Sequence, residues 1–433
     1  MGRLTDIAEQ LWTGAVSTAD RHPLVAALQE MEELAPGVAF VSSFANVTAF
    51  ATDAGLVLVD VGSQLFAAQV HEIVRRWSER PLHTAIYTHG HVDHVFGVDR
   101  YEADARAAGA PPPRVVAHEA VADRFDRYRM TAGYNAIINR RQFRVPNLVW
   151  PVDYRYPDVT YRKTLALDVG GTRFVLMHDR GETDDHTWVW LPDRKIVCTG
   201  DLFIWAAPNC GNPQKVQRYP LDWARALRAM DALAPELLCP GHGYPIRGGA
   251  RVHQALVETA ELLESLHEQT VRLMNEGARL DDVLHAVRPP AHLLERPYLR
   301  PVYDDPEFIV RNIWRFYGGW YDGNPAHLKP APDAALAREL AGLAGGAGRL
   351  AGRAQALATA GDLALACHLV ELASQAAPAD EAVRAARAAV YTARAEREPS
   401  TMAKGIYGWA AAESGATSEP RARSGSGRRS TSS

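Results

Sequence analysis

Cysteine is scarce in this 433-residue chain: Cys198, Cys210, Cys239 and Cys367 are scattered and form no Cys-x-x-Cys pair. Their spacing argues against a disulfide framework and against a cysteine-ligated zinc knuckle. No apolar run approaches the roughly 20 residues needed to span a bilayer. The opening MGRLTDIAEQLWTGAV contains acidic residues and no unbroken apolar core, so it does not read as a secretory leader. Positive charge is not in excess either. Lys and Arg number 47 against 51 Asp and Glu, a net charge of −4, so no global basic field recruits nucleic acid or anionic membrane. No serine, cysteine or lysine nucleophile motif is found; Gly-Ser pairs such as that at Ser424-Gly425 lie in the polar end of the chain. A reduced, cytoplasmic enzyme is the expectation.

What is present is ordinary globular material, 47% hydrophobic and 23% charged, in a length that accommodates two or three domains. Residues 1–35 read as a helical lead-in. From Val38 strand-like runs appear, and Leu56-Val57-Leu58-Val59-Asp60 reads as a buried strand ending in a carboxylate. Residues 64–78 then carry Leu65, Val70, Ile73, Val74 and Trp77 at helical spacing. A second strand, Thr84-Ala85-Ile86-Tyr87, completes a β–α–β unit. Further strands are expected at 114–117, 164–167, 172–178, 187–191, 195–199 and 237–239, and a long amphipathic helix at 249–278. This α/β domain is bounded at 36–285. Residues 286–398 turn Ala- and Leu-rich, with three or four short helices in a tetratricopeptide-like texture but no regular repeat. The polar remainder, 399–433, reads as a disordered tail.

The densest chemistry follows the strand 84–87. Thr88-His89-Gly90-His91-Val92-Asp93-His94 puts three imidazoles and a carboxylate within six positions. In a loop released from a strand end, His89 and His91 can serve one cation, and Asp93 and His94 a second. Neutral imidazole and carboxylate are the donors that borderline divalent metals prefer. A two-metal site needs more donors, and three later strand ends provide them: Glu182 in Arg180-Gly181-Glu182-Thr183, Asp201 in Thr199-Gly200-Asp201, and His242 in Pro240-Gly241-His242-Gly243. Asp201 can give one oxygen to each cation, Glu182 completes the His89/His91 site, and His242 the Asp93/His94 site. His178, His186 and Asp60 are assigned supporting roles, orienting ligands rather than binding metal.

These motifs, in this order, resemble the metallo-β-lactamase superfamily, whose αββα sandwich binds two metals through H-x-H-x-D-H and later loop ligands. Glu182, where most members carry His, is similar to the alkyl sulfatase branch. So is Arg315-Phe316-Tyr317-Gly318-Gly319-Trp320-Tyr321-Asp322-Gly323-Asn324-Pro325, which resembles the sequence opening that branch's helical dimerisation domain. The resemblance implies an α/β sandwich followed by an all-α dimerisation domain, and a homodimer. It also has departures. The branch usually bridges its metals with Glu, where this chain has Asp201. It holds sulfate with an Asn and an Arg; Asn209 falls at the first position, but Gln214 stands at the second, with Lys215 beside it. Its Gly-Asn-Ala-x-x-Arg-Arg stretch is approximated by Gly133-Tyr134-Asn135-Ala136 and Arg140-Arg141. The carrier-like third domain often found in that family is not seen.

The expected cofactors are two divalent ions, zinc first, with manganese or iron accommodated by the extra carboxylate. Such a pair, held by Asp93, Asp201 and the other five ligands, brings a bridging water's pKa from 15.7 towards about 7 and supplies the hydroxide for hydrolysis. Asn209, Lys215, Arg140 and Tyr134 are the candidate substrate contacts, with Arg141 and Arg218 as further cations, and Trp205 and Tyr244 as candidate walls of an apolar channel. The expected substrate is a small sulfate ester or related ester, anionic with an apolar part. Alternatives are thioester, lactone or β-lactam hydrolysis, or a specialised biosynthetic step. A diiron oxidoreductase is disfavoured because His91 is intact, and a non-enzymatic scaffold because all seven ligand positions are filled.

Overall fold

The segment Gly55–Val59 is buried along its whole length, and in the computed structural model it is the central strand of a seven-stranded sheet. The structure describes residues 2–24 and 28–415. Its first sheet runs in chain order: β1 (Glu30–Ala35), β2 (Val38–Ser42), β3 (Val47–Thr52), β4 (Gly55–Val59), β5 (Leu82–Ile86), β6 (Arg114–His118) and β7 (Val159–Tyr161). The first four strands pair antiparallel and the last four parallel. Parallel neighbours need crossovers, and these are helices: α2 (Ala67–Trp77), α3 (Val98–Ala107), then α4 (Ala120–Met130) with α5 (Ala132–Phe143). Strand alternation divides the side chains between two cores. Ala39, Val41, Leu56 and Leu58 meet Val70, Ile73 and Val74 of α2 and Phe125 of α4, whereas Val38, Phe40, Val57 and Val59 face the second sheet.

That second sheet has the order β13-β12-β11-β10-β9-β8, from β8 (Thr164–Val169), β9 (Thr172–His178), β10 (Thr187–Leu191), β11 (Ile196–Gly200), β12 (Leu237–Pro240) and β13 (Ile246–Arg247). Only β11 and β12 are parallel, joined through α6 (Pro220–Asp231). Phe174, Leu176 and Trp188 pack towards Phe40 and Phe50, while Trp223 and Leu227 of α6 and Leu256 and Leu263 of α7 (Gly249–Asn275) belong to the same core. Phe40, Phe50 and Phe174 are each at most 2% exposed, which stabilises the sandwich by about 1.5–3 kcal/mol per ring. The architecture is the α/β, helix–sheet–sheet–helix sandwich expected.

Three strands were not legible. The lead-in is helical only at α1 (Arg3–Trp12); Glu30–Ala35 is an edge strand. Its three glutamates suggest a helix, but pairing with β2 overrides propensity, and Glu32 accepts from the Gly2 and Thr5 amides at the start of α1. The others, β7 and β13, are three and two residues long, too short to show a period.

The chain divides into two compact units, residues 1–328 with 399–402, and residues 329–398 with 403–433. The division falls well beyond residue 286. The helices α8 (Leu280–Ala286), α9 (Ala291–Leu294) and α10 (Pro306–Gly318) keep Val283, Leu293, Ile309 and Ile313 in the first core. The second unit is built on α11 (Asp333–Leu343), α12 (Ala347–Thr359), α13 (Leu363–Ala376) and α14 (Glu381–Arg397). Its core is small-residue packing: Ala351, Ala354, Ala366, Val370, Val383 and Ala386.

The tail expected from residue 399 instead begins with a helix, α15 (Thr401–Gly415). Met402 is fully buried beside Leu24, Ile204 and Tyr303. Further along, Arg387 donates to the Ala410 carbonyl at 2.8 Å and to Ser414 at 2.7 Å, and Tyr407 stacks on Tyr391. Residues 416–433 lie outside the described residues. No described helix is long and apolar enough to cross a membrane.

Candidate metal centre

Four strands release their donors at one place. The loop after β5 carries His89, His91, Asp93 and His94; Glu182 follows β9, Asp201 follows β11, and His242 follows β12. Their ligand atoms gather into two groups, His89, His91, Glu182 and Asp201 in one, Asp93, His94 and His242 in the other. Asp201 touches both. Its Oδ2 is 3.8 Å from His89 Nε2 and 3.3 Å from His242 Nε2, and its Oδ1 is 3.4 Å from His94 Nε2. In the first group Glu182 Oε2 lies 3.6 Å from His89 Nε2 and 3.4 Å from His91 Nδ1. In the second, Asp93 Oδ2 lies 3.4 Å from His242 Nε2 and 3.7 Å from His94 Nε2.

These separations are long for hydrogen bonds, and Glu182 Oε2, Asp201 Oδ1 and His94 Nε2 are buried without a hydrogen-bond partner. They suit a different purpose. Donors bonded at about 2.0–2.1 Å to a tetrahedral ion stand roughly 3.3 Å apart. The electrostatics agree. Burial disfavours a charged imidazole at His94, yet Asp201, Asp60 and Asp93 outweigh it and hold its pKa well above the ordinary value. Burial is likewise overcome at His242, which Asp201 and Asp93 lift to about 10. His89, by contrast, is held well below the ordinary imidazole value by burial and its neighbouring imidazoles. Asp93, Glu182 and Asp201 are held below the usual carboxylate range, so the set presents ionised carboxylates among imidazoles, which divalent cations would satisfy.

Two close approaches make the packing possible. A Cβ on Gly241 would collide with Asp201 Oδ1, and one on Gly200, at φ +50°, would stand 2.6 Å from His186 Nε2. Both positions therefore need glycine.

The surrounding side chains fix the donors. Asp60 Oδ2 accepts from His94 Nδ1 at 2.7 Å and from the Thr88 hydroxyl at 2.9 Å, and its Oδ1 from the Thr88 amide at 2.7 Å, as its assigned orienting role requires. His186 stacks on His89 with centroids 4.8 Å apart and bonds the Thr199 carbonyl, so it supports rather than ligates. His178 sits one layer further out, stacked on His118. Two supports were not anticipated. Asp185 accepts from the Gly90 amide at 3.0 Å and from Arg124 at 2.7 Å, holding the histidine loop against α4. Arg218 places Nη1 2.6 Å from Glu182 Oε1 and also donates to the Asn209 carbonyl. Burial alone would raise the Glu182 pKa, but Arg218 and then His91 outweigh it and hold the carboxyl far below its usual range. The signal for Arg218 was Glu182 itself, since a buried carboxylate requires a countercharge.

A cavity of about 610 Å³ opens onto Asp93, Glu182, Asp201 and His242. Its walls are largely apolar: Phe44, Leu65, Phe66, Phe143, Val149 and Trp150 among them. The expected aromatic walls are elsewhere. Trp205 and Tyr244 are core residues, with Trp205 Nε1 donating to the Tyr244 carbonyl.

The candidate substrate contacts separate. Asn209 lines this cavity, but its amide donates to Glu182, so it is partly committed to the ligand. Lys215 lines it as well, its ammonium 5.7 Å from the Trp150 ring centre, and burial followed by the nearby Arg218 lowers its pKa to about 8. Tyr134 does not; it is 62% exposed on α5 and lines a second, smaller cavity. Arg140 lines neither, because its Nε is tied to the Leu148 carbonyl at 2.8 Å and braces that loop. Arg141 is turned to Gln214 Oε1 at 2.8 Å.

Comparison with known proteins gives two family matches: residues 42–242 to the metallo-beta-lactamase superfamily and residues 279–416 to alkyl sulfatase dimerisation. A linear primary-alkylsulfatase of a Pseudomonas species is 28% identical over 331 residues, covering 71% of this chain and 61% of that protein. The alkyl/aryl-sulfatase BDS1 of Saccharomyces cerevisiae is 25% identical over 340 residues, covering 71% of this chain and 52% of its own. The chain thus spans between half and two thirds of the length of these curated relatives. Among solved structures, the stereoselective inverting sec-alkylsulfatase Pisa1 of a Pseudomonas species superposes with a TM-score of 0.78 at 24% identity, over 89% of this chain and 65% of that one. That likeness is one of fold.

Proposed function

We propose that this chain, which joins a metallo-beta-lactamase domain to an alkyl sulfatase dimerisation domain, is a binuclear metal-dependent hydrolase of sulfate esters with an apolar organic group. The observation that carries the reading is a cluster of seven donors, five of which (His91, Asp93, Glu182, Asp201 and His242) line an apolar cavity. Two divalent cations, zinc by donor preference, would supply Lewis acidity and a water of lowered pKa. His89, His91 and Glu182 would hold one ion and Asp93, His94 and His242 the other, with Asp201 placed to serve both. Arg218 keeps Glu182 ionised, and Asp60 fixes the ring of His94. The organic group would pack against Phe44, Phe143 and Trp150, which would exclude water from around the ester, with the exposed Leu65 at the cavity's edge. Lys215, still mainly protonated at neutral pH, faces the anionic head in place of the arginine absent at Gln214. An ammonium gives a point charge without the paired, planar grip of a guanidinium, so the anion is held less selectively.

The chain is expected to assemble as a homodimer through its helical region. Leu336, Leu343 and Leu365 are exposed apolar residues there, at 54%, 86% and 45%. Light scattering at micromolar concentration should return twice the 47.5 kDa chain mass; a monomer mass would reject the dimer.

Elemental analysis with a sulfate-release assay on a medium-chain alkyl sulfate tests the main reading. About two zinc per chain with sulfate release is the expected result. Two metals without sulfate release would leave a hydrolase of another ester and favour the second reading, a thioester, lactone or lactam. Gln214 in place of the paired-donor arginine is the observation that keeps that reading in view.

A further inference from the structure

The apolar cavity opens to solvent through apolar side chains. Leu65, Val145 and Val149 line it, yet they are 79%, 46% and 78% exposed, so they stand at its mouth. Leu65 belongs to the connection before α2, and Val145 and Val149 to the connection after α5. The second connection is held in shape. Arg140 Nε donates to the Leu148 carbonyl, and the Val145 amide to the Arg140 carbonyl at 3.2 Å. Exposed apolar groups gathered round an opening mark a place of contact.

Charge decides what kind of contact. The chain carries −4 overall, yet residues 131–152 hold Arg140, Arg141 and Arg144 with no Asp or Glu, and residues 61–71 hold no acidic residue either. Arg144 closes α5 at φ +56° and is exposed, without an ion-pair partner among the described residues. Charges act over a Debye length of about 8 Å, so a surface brought to the mouth meets this local collar rather than the net charge. Apolar side chains beside arginine suit a surface that lays anionic groups over hydrocarbon. The cavity behind the collar points the same way. An ester with an anionic head and an apolar group is an amphiphile, and amphiphiles gather into aggregates of that build. Leaving such an aggregate head first, the apolar group would pass over Leu65 and Val149 into the cavity without crossing water.

We propose that the mouth of the apolar cavity is a docking surface for aggregates of anionic amphiphiles, with Leu65 and Val149 entering the hydrocarbon and Arg144 meeting the heads. The ester is then drawn from the aggregate rather than from free solution. The choice of amphiphile rests on the sulfate-ester reading given above, whereas docking itself requires no turnover.

The test is flotation of the metal-loaded full chain with phosphatidylcholine vesicles, plain or doped with a long-chain alkyl sulfonate, which has an anionic head but no ester to cleave. The parent should float with the doped vesicles and not with the plain ones. Leu65→Ser and Val149→Ser should each weaken that binding about tenfold, the scale of one apolar side chain returned to water. Arg144→Asn keeps a residue that tolerates a positive φ and should weaken binding about fivefold. It should leave turnover of a short-chain, unaggregated sulfate ester as in the parent. Binding to neither vesicle, equal binding to both, or binding that any one of the three substitutions leaves unchanged would overturn the proposal. So would light scattering in which the Leu65 and Val149 variants alone lose a dimer, because a second copy would then be the occupant. Vesicle binding without ester turnover would keep the docking surface and overturn only the sulfatase, and turnover without vesicle binding would do the reverse.

Discussion

Replacing Arg218 with methionine is expected to destabilise the protein by about 3–5 kcal/mol and to remove turnover. Arg218 and Glu182 are both 2% exposed, and they meet at 2.6 Å. Methionine fills much of the space but leaves the Glu182 carboxylate buried without its guanidinium, with the Asn209 amide and the His91 imidazole as its remaining partners, and a buried charge stripped of its countercharge is the costliest kind of deletion. The stability loss should be measured by urea unfolding of chelator-treated protein, where bound metal contributes nothing. Loss of Glu182's orientation should separately weaken metal binding by about 10–100-fold. Arg218→Lys should recover little, because one ammonium on a shorter stem cannot span both Glu182 and the Asn209 carbonyl. A methionine variant as stable as the parent would show that the ion pair is not what holds Glu182.

Asp201→Ala should reduce turnover at least about a thousandfold, because the activation of water rests on the metals it would share. The distances make a sharper forecast for metal content. Asp201 approaches His89 in one group and His94 and His242 in the other, so its removal weakens both sites together. His242→Ala damages one group only and should retain about one ion per chain. Elemental analysis distinguishes these variants, and full metal content in Asp201→Ala would sink the shared-ligand assignment.

Much of this centre could be read from the chain because its donors stand at strand ends, and strand ends are marked by apolar runs followed by glycine. His89, His91, Asp93 and His94 are contiguous, and Glu182, Asp201 and His242 each follow a recognisable strand. The supports were harder to read for a physical reason. Arg218 lies 36 residues from Glu182, and Arg124 lies 61 from Asp185; periodicity reports which face of its own element a residue occupies, not which distant charge it meets. Arg140 shows the reverse error. Its neighbour Arg141 and the family-like spacing made it a candidate anion contact, yet a backbone carbonyl eight residues on takes its guanidinium. The strand β1 was hidden by Glu30, Glu32 and Glu33, whose helical preference yields to pairing with β2.

The apolar cavity and the ligand cluster are built from differently restrained connections. The donors stand in buried loops just after β5, β9, β11 and β12 and are tied by Asp60, Asp185 and Arg218, whereas the cavity wall includes Leu65 and Val149, which are exposed in the connections before α2 and after α5. Exposed connections tolerate substitution and changes of length that buried, hydrogen-bonded loops do not. The organic half of the substrate can therefore be exchanged during evolution, or in a mutant library confined to residues 63–66 and 144–151, without renegotiating a single donor. Such a library should yield catalysts differing in chain-length preference but alike in metal content, which makes this scaffold a starting point for tailoring ester selectivity.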